Sequence, residues 1–426
     1  MKNSVDYLSL IQSIPAHRTA LIEDGRVYTY GALADEARRL RSLSPEPAGP
    51  SVAWIRAATV YDQLVRFLAL SGTSRVPVVV PADMKGVPEF HATGDVPAGA
   101  CMGVLTSGST GQPKLWFRTL ESWASFFPVQ NEIFGMTART RLFAQGSLAF
   151  TGNLNLYLSL LSLGASVITV SRVNPSAWRR EMELHHADAL YLIPCKLRLL
   201  AKYAAHSNPD VKTILAGSES LGRRDLASLK AAYPNSRCFL YYGASELSYV
   251  TWLTDEEMND NPACVGRPFP GVDVTLRNGE IYVDTPYSAM GITGPYSVGD
   301  TGFMDCNGYL YFTGRKDNVF NIHGRKVSSA KVENALNALP QIQEAAVVFQ
   351  NGALRAHVLL SEPDRSVQNA AALRRSIKRA LSDDLESWEI PREILFHEKL
   401  PKNDSGKTVR KRLSDVTASG ISTELQ

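Results

Sequence analysis

Ser166-Val167-Ile168-Thr169-Val170, Ala189-Leu190-Tyr191-Leu192-Ile193, Lys212-Thr213-Ile214-Leu215-Ala216 and Arg237-Cys238-Phe239-Leu240-Tyr241 are short β-branched and aliphatic runs. Amphipathic stretches at 175–186, 194–205 and 222–232 separate them, each long enough for a helix of about three turns. Strands that alternate with helices of this length build parallel sheets covered by helices on both faces. The fold class expected from this stretch is α/β.

The same alternation extends upstream. Ser51-Val52-Ala53-Trp54-Ile55 reads as a strand and 61–70 as a helix, and Val78-Val79-Val80 as a short strand bounded by Pro77 and Pro81. No residue between Arg141 and Arg172 is charged, but Gln145, Gly146, Gly152, Asn153, Asn155 and Gly164 interrupt that stretch. It therefore reads as a buried α/β segment, not a membrane span.

Downstream the pattern changes. Val272-Asp273-Val274-Thr275-Leu276, 280–283 and 309–313 are short strands around the Asn278-Gly279 and Asn307-Gly308 turn signals, which predicts a small antiparallel, barrel-like β unit. After Lys316 come a helix at 328–339, strands near 345–349 and 354–360, a charged helix at about 371–385 and a strand near 393–396. That is a compact α+β module able to fold as its own unit.

Composition narrows the function classes. Of 426 residues, 44% are hydrophobic and 20% charged, a globular balance with room for more than one core. A formal net charge of +3, with no basic block interleaved with aromatics, predicts no nucleic-acid partner. Cys101, Cys195, Cys238, Cys264 and Cys306 are scattered and never form C-x-x-C, which fits a reduced cytoplasmic setting without a zinc site. No apolar run follows Met1-Lys2-Asn3-Ser4-Val5-Asp6, so no secretory signal is expected there.

The densest chemical signal is Leu105-Thr106-Ser107-Gly108-Ser109-Thr110-Gly111-Gln112-Pro113-Lys114. Its glycines let backbone N–H groups turn inward, its hydroxyls add donors, and Lys114 adds a point charge for phosphate oxygens. It is not a Walker A loop, because Pro113 precedes the lysine and Leu115 follows it. On composition alone, a flexible linker explains it equally well.

In order, this loop resembles the [ST]-S-G-[ST]-T-G-x-P-K phosphate loop of the adenylate-forming superfamily, matching it at every fixed position from 106 to 114. That superfamily includes acyl- and aryl-CoA synthetases, peptide-synthetase adenylation domains and firefly luciferase. Further motifs follow in family order. Tyr241-Tyr242-Gly243-Ala244-Ser245-Glu246 resembles Y-G-x-[ST]-E, whose aromatic residue and glycine line the adenine and acyl pockets. Gly217-Ser218-Glu219 stands where the family usually has G-G-E beside the adenine, with Ser218 replacing the middle glycine.

Val298-Gly299-Asp300-Thr301-Gly302 resembles the G-D-x-[GA] motif, whose aspartate accepts from both ribose hydroxyls. Gly314-Arg315-Lys316-Asp317 resembles the G-R-x-D hinge, with Arg315 toward the nucleotide and Asp317 as pivot. Pro401-Lys402-Asn403-Asp404-Ser405-Gly406-Lys407 resembles P-K-[TN]-x-x-G-K, which makes Lys407 the adenylation lysine. Taken singly, these segments also read as turns, caps or solvated loops; their order along the chain carries the resemblance.

The resemblance implies an enzyme that uses ATP and Mg²⁺ to form an acyl-adenylate, then passes the acyl group to coenzyme A or to a carrier-protein phosphopantetheine. Glu246 and Thr110 would hold the metal. It implies a large domain at 1–315, a hinge at 316–317 and a mobile small α+β domain at 318–426.

Amino-acid-activating relatives place an aspartate at the position of Thr151, so an α-ammonium substrate is disfavoured here. Phe150, Thr151, Gly152 and Asn153, with Ser218 and Ala244, suit an aryl or short acyl acid. Thr151 and Asn153 are equally the residue types that cap helices. An amino-acid-activating, amide-forming or luciferase-like relative, or a non-catalytic ATP-binding one, are the other readings. Intact Lys407, Glu246 and Asp300 weigh against the last.

Overall fold

The computed structural model describes residues 6–43, 47, 49–82, 84, 96–107, 113–204, 206–316, 319–322, 325–350, 352–361, 370–402 and 408–414. The chain divides into two compact units, one comprising 1–258, 265–275 and 282–298, the other 259–264, 276–281 and 299–426.

In the first unit a sheet runs through Ser248–Thr254, Arg237–Ala244, Thr213–Gly217, Ala189–Tyr191, Arg141–Ala144, Ser166–Thr169, Thr19–Glu23 and Arg26–Thr29. The strands from 237–244 through 19–23 are parallel and are flanked on each side by an antiparallel strand, and beyond Ser248–Thr254 the sheet continues antiparallel into Cys264–Pro268. The intervening helices begin where the sequence supplies caps. Asn174 accepts from Ala177 N ahead of Pro175, and the Asp225 carboxylate accepts from Gly222 N at 3.0 Å. The uncharged stretch forms the helix Thr151–Leu163, buried continuously from Asn153 to Leu161 and ended by Gly164 at φ +82°. A helix apolar on every side belongs in an interior, as the sequence predicts. Among the described residues no helix is long and apolar enough to cross a membrane.

A second sheet of this unit orders Ser51–Ile55, Arg75–Val79, Met102–Ser107 and Pro113–Arg118. It corrects one expectation. The strand does not start after Pro77 but runs through it, with Pro77 opposite Ala53. On its other side the strand meets Met102–Ser107 only at Val78, so little ladder remains there for a missing N–H to interrupt.

The second unit contains antiparallel β pairing as expected, but through a strand the sequence reading did not include: Asp300–Met304 pairs with Leu310–Arg315, and Glu280 lies opposite Thr301. Asn278 and Gly279 both take positive φ in the turn before Glu280, as an Asn-Gly turn requires. The α+β module follows. Ser328 caps the helix Ser329–Asn337 by accepting from Lys331 N. Ile342–Gln350 and Ala353–Leu360 pair antiparallel, and Glu393–His397 adds in parallel. Val332, Leu336, Val347, Val358 and Ile377 form its core with the helix Ala370–Leu381.

Candidate active site

The phosphate-loop signal sits on a β-hairpin. Met102–Ser107 and Pro113–Arg118 pair antiparallel, with Thr106 opposite Lys114 and Ser107 opposite Pro113. The two strand ends therefore bracket the loop; Thr106 is half-buried and Lys114 exposed. Gly108, Ser109, Thr110 and Gly111 lie outside the described residues.

The carboxyl ends of two neighbouring parallel strands hold the next cluster. Gly217 lies opposite Tyr241, and a Cβ on Gly217 would stand 2.5 Å from the Tyr241 ring. Only glycine lets the two strands keep this approach. Tyr241 Oη lies 2.6 Å from Tyr191 Oη, and its ring stacks on Tyr249 at 4.1 Å. Burial pushes the Tyr241 phenol up to about 12 and raises Tyr191 and Tyr249 as well. All three stay protonated at neutral pH and act as hydrogen-bonding walls, not as bases. Tyr242 is half-buried, one position along the strand and so on the opposite face from Tyr241.

Ser218 takes φ +72°, the conformation in which the family's usual glycine costs nothing and serine is strained. Glu219 Oε2 accepts from Cys195 N at 2.9 Å, so this carboxylate anchors the first turn of the helix Pro194–Lys202.

Residues 150–153, expected to line the acid pocket, lie beside this cluster. A Cβ on Gly152 would lie 2.1 Å from Tyr191 Oη, 3.1 Å from Tyr241 Oη and 3.1 Å from the Phe150 ring, so Gly152 rests directly against those rings. The Ser245 hydroxyl donates to Thr151 Oγ1 at 2.8 Å, across 94 positions of sequence. This corrects the capping alternative for Thr151. The N-cap of its helix is Phe150, without a side-chain cap bond, and Thr151 spends its hydroxyl on Ser245. Buried Asn153 donates to Ser147 O at 3.1 Å.

Glu246 lies in the turn between the antiparallel strands Arg237–Ala244 and Ser248–Thr254, so the possibility of a helix cap at Ser245 or Glu246 is also corrected. A bulge after Tyr242 re-aims this end of the ladder; a Cβ on Gly243 would meet Ser248 O at 2.3 Å.

Beneath the turn lies a residue the sequence gave no reason to select. Arg118 is fully buried, donating to Tyr287 O at 2.5 Å, Ser248 Oγ at 2.7 Å and Ser245 O at 3.1 Å. Burial pulls its guanidinium down to about 10, with Glu246 the strongest opposing charge, so Arg118 remains a cation at neutral pH. One arginine in Leu115-Trp116-Phe117-Arg118 carries no motif, and only tertiary contact reveals it.

In the second unit Asp300 is buried and accepts from Arg315 Nε at 3.1 Å. The two residues are cross-strand partners, which explains their distance in sequence. Asp300 therefore sits in a strand paired to a cation, not in a hairpin turn, the other place such an aspartate takes. Asp317 and Lys407 lie outside the described residues. On either side of the stretch bearing Lys407, Lys402 and Thr408 are bridge partners, and both side chains engage Glu344, Thr408 Oγ1 at 2.6 Å.

Residues 95–292 match the family model described as AMP-binding enzyme, and 331–407 match the AMP-binding enzyme C-terminal domain. The chain is 29% identical to an uncharacterized acyl–CoA ligase of Bacillus subtilis (strain 168), covering 72% of this chain and 67% of that one. It is 24% identical to the 3-hydroxybenzoate–CoA ligase of Aromatoleum sp. (strain CIB), over 94% of this chain and 80% of the relative. Among solved structures, an anthranilate CoA ligase in complex with anthranoyl-AMP superposes with a TM-score of 0.83 at 18% identity, covering 97% of each chain. The o-succinylbenzoate coenzyme A synthetase of Bacillus subtilis with ATP and magnesium ion superposes with a TM-score of 0.76 at 19% identity, over 96% of this chain and 99% of that one. At such identities the structural likeness speaks for the fold.

Proposed function

Since the chain belongs to the adenylate-forming superfamily of AMP-binding enzymes, we propose that it joins an aryl or short acyl carboxylic acid to coenzyme A through an acyl-adenylate. The observation that carries the substrate side is the Ser245–Thr151 hydrogen bond, which holds the acid-pocket residues against the Glu246 turn.

In the first half-reaction a carboxylate oxygen bonds to the α-phosphorus of ATP while the bond to the bridging oxygen breaks and pyrophosphate leaves. In the second, the thiol sulfur bonds to the acyl carbon and AMP departs. No covalent enzyme intermediate is needed, so the protein contributes positioning and charge stabilisation. By the resemblance, Gly217 and Tyr242 face the adenine, Asp300 accepts from the ribose hydroxyls, Arg315 faces the nucleotide, and the 106–114 loop with Lys114 makes the phosphate contacts. Lys407 stabilises charge on the attacking oxygen and the α-phosphate, and Asp317 is the pivot between the two steps.

Among the described residues no cluster of three His, Cys, Asp or Glu side chains offers a metal cage. A lone carboxylate at Glu246 fits Mg²⁺ all the same, because this ion binds one or two carboxylates and takes its remaining ligands from phosphates and water. Bound with ATP, it would neutralise the triphosphate; Glu246 would hold it, with Thr110 contributing a hydroxyl. A cytoplasmic location fits this chemistry. A free-standing phosphopantetheine carrier presents the same thiol and is the alternative acceptor.

The test is ATP–pyrophosphate exchange across aryl, short acyl, fatty and amino acids, followed by thioester formation with coenzyme A and with a carrier. Aryl or short acyl acids should support exchange; exchange with amino acids alone would overturn the substrate assignment. Lys407→Ala should lower adenylation by about 100-fold or more while sparing thioester formation from supplied acyl-adenylate. Equal loss of both steps would remove Lys407 from the role.

A further inference from the structure

Arg118 ties together two segments that the adenylation chemistry uses separately. It ends the strand Pro113–Arg118, whose other end enters the phosphate loop, and its side chain reaches under the Glu246 turn 127 positions away. Its Nη2 holds the turn at Ser245 O and Ser248 Oγ, while Nη1 holds Tyr287 O. Ser248 Oγ also donates to Tyr287 O at 2.9 Å, and Ala289 N donates to Glu246 O at 2.7 Å. The turn is thus stapled to the 285–290 segment by one guanidinium, one hydroxyl and one backbone bond.

Two features set this apart from ordinary core packing. A fully buried arginine is costly unless its donors are satisfied; here the two terminal nitrogens make three bonds that converge on the turn and on the segment behind it, while Nε has no partner among the described residues. Ser248 stands at φ +62°, a strained conformation for serine that presents its hydroxyl to Arg118. The guanidinium is further seated over the Trp123 ring at 4.9 Å, fixing the direction of the fork.

We propose that Arg118 is a positioning residue for magnesium–ATP: it fixes the Ser245–Ser248 turn so that the Glu246 carboxylate is preset for the ion, and couples that preset to the phosphate-loop strand. This rests on the adenylation reading above. A lysine cannot reproduce it, because a single ammonium lacks the planar fork that reaches Tyr287, Ser245 and Ser248 together.

The experiment is calorimetry of ATP binding to the full chain, with Mg²⁺ and with EDTA. Arg118→Lys should bind metal-free ATP within twofold of the original protein but lose about tenfold in the affinity gained on adding Mg²⁺. Equal weakening with and without Mg²⁺, or an unchanged magnesium gain, would overturn the proposal and leave Arg118 a packing residue. If Arg118→Lys does not fold by thermal melt, Ser248→Gly decides the matter. Glycine suits φ +62° and removes the hydroxymethyl group without straining the backbone. A fall of about threefold in the magnesium gain supports the proposal, and no change overturns it. Absence of acid-dependent exchange in the unaltered protein would instead defeat the adenylation reading, whatever the calorimetry of the variants.

Discussion

The two units each bury a pair of like aromatic side chains in contact, with opposite consequences. In the first unit Tyr191 and Tyr241 meet through their hydroxyls at 2.6 Å. In the second, His357 Nδ1 and His397 Nε2 lie 2.8 Å apart, with the rings stacked at 5.0 Å. Burial disfavours the charged form in both. For the phenols it moves ionisation up, away from any working pH, so the pair is indifferent to acid. For His357 it moves protonation down to about 4, with His397 and Arg355 adding repulsion, and His397 shifts down as well. His357 Nε2 has no partner among the described residues. Similar contacts thus make one region robust to acid and the other sensitive to it.

The largest effect expected from this contrast is acid loosening confined to the smaller sheet. The folded pKa of His357 lies below its ordinary value, so its contribution is complete above pH 6.5 and is lost as pH falls toward 4, where the unfolded chain takes up protons the folded one resists. A shift from 6.5 to about 4 corresponds to at most about 3.4 kcal/mol, less once solvent screening is counted. Hydrogen exchange corrected for intrinsic rates should show protection falling between pH 7 and 4.5 in 342–360 but much less in 213–244. His357→Phe should flatten that fall, whereas parallel losses in both regions would erase the contrast.

A smaller effect tests the tyrosine side. Gly217→Ala drives a methyl group into the Tyr241 ring and should cost about 1–3 kcal/mol while weakening ATP binding. An unchanged melting temperature with unchanged ATP affinity would show that the two strands have slack there. The smallest is a gain: Ser218→Gly relieves φ +72° and should stabilise by about 1 kcal/mol in urea unfolding. A loss of stability would mean that the serine hydroxyl makes a contact worth more than the strain.

Much of the site was legible beforehand because its residues are constrained by local backbone need. Gly217 and Gly152 are glycines since aromatic rings occupy their Cβ positions, and a motif records such demands at fixed spacing. The Asn278-Gly279 turn and the strand–helix alternation are local in the same sense. Pro77 was misplaced because sequence shows that a proline lacks an N–H but not how little ladder lies beside it. Tyr191 and Arg118 left no signal, since a tyrosine in an apolar run and an arginine ending one look like ordinary strand residues.

By itself the sequence determined which chemistry the chain can host: hydroxyls, glycines, carboxylates and lysines in an order whose spacing encodes local turns and strand ends. Only the tertiary structure decided how those groups are braced, through the bond from Ser245 to Thr151, the paired tyrosines under Gly152, and the guanidinium of Arg118 under the Glu246 turn. The reason is physical. Backbone conformation is set by neighbours along the chain, whereas a buried polar group is satisfied by whatever the fold brings within about 3 Å, from any distance in sequence.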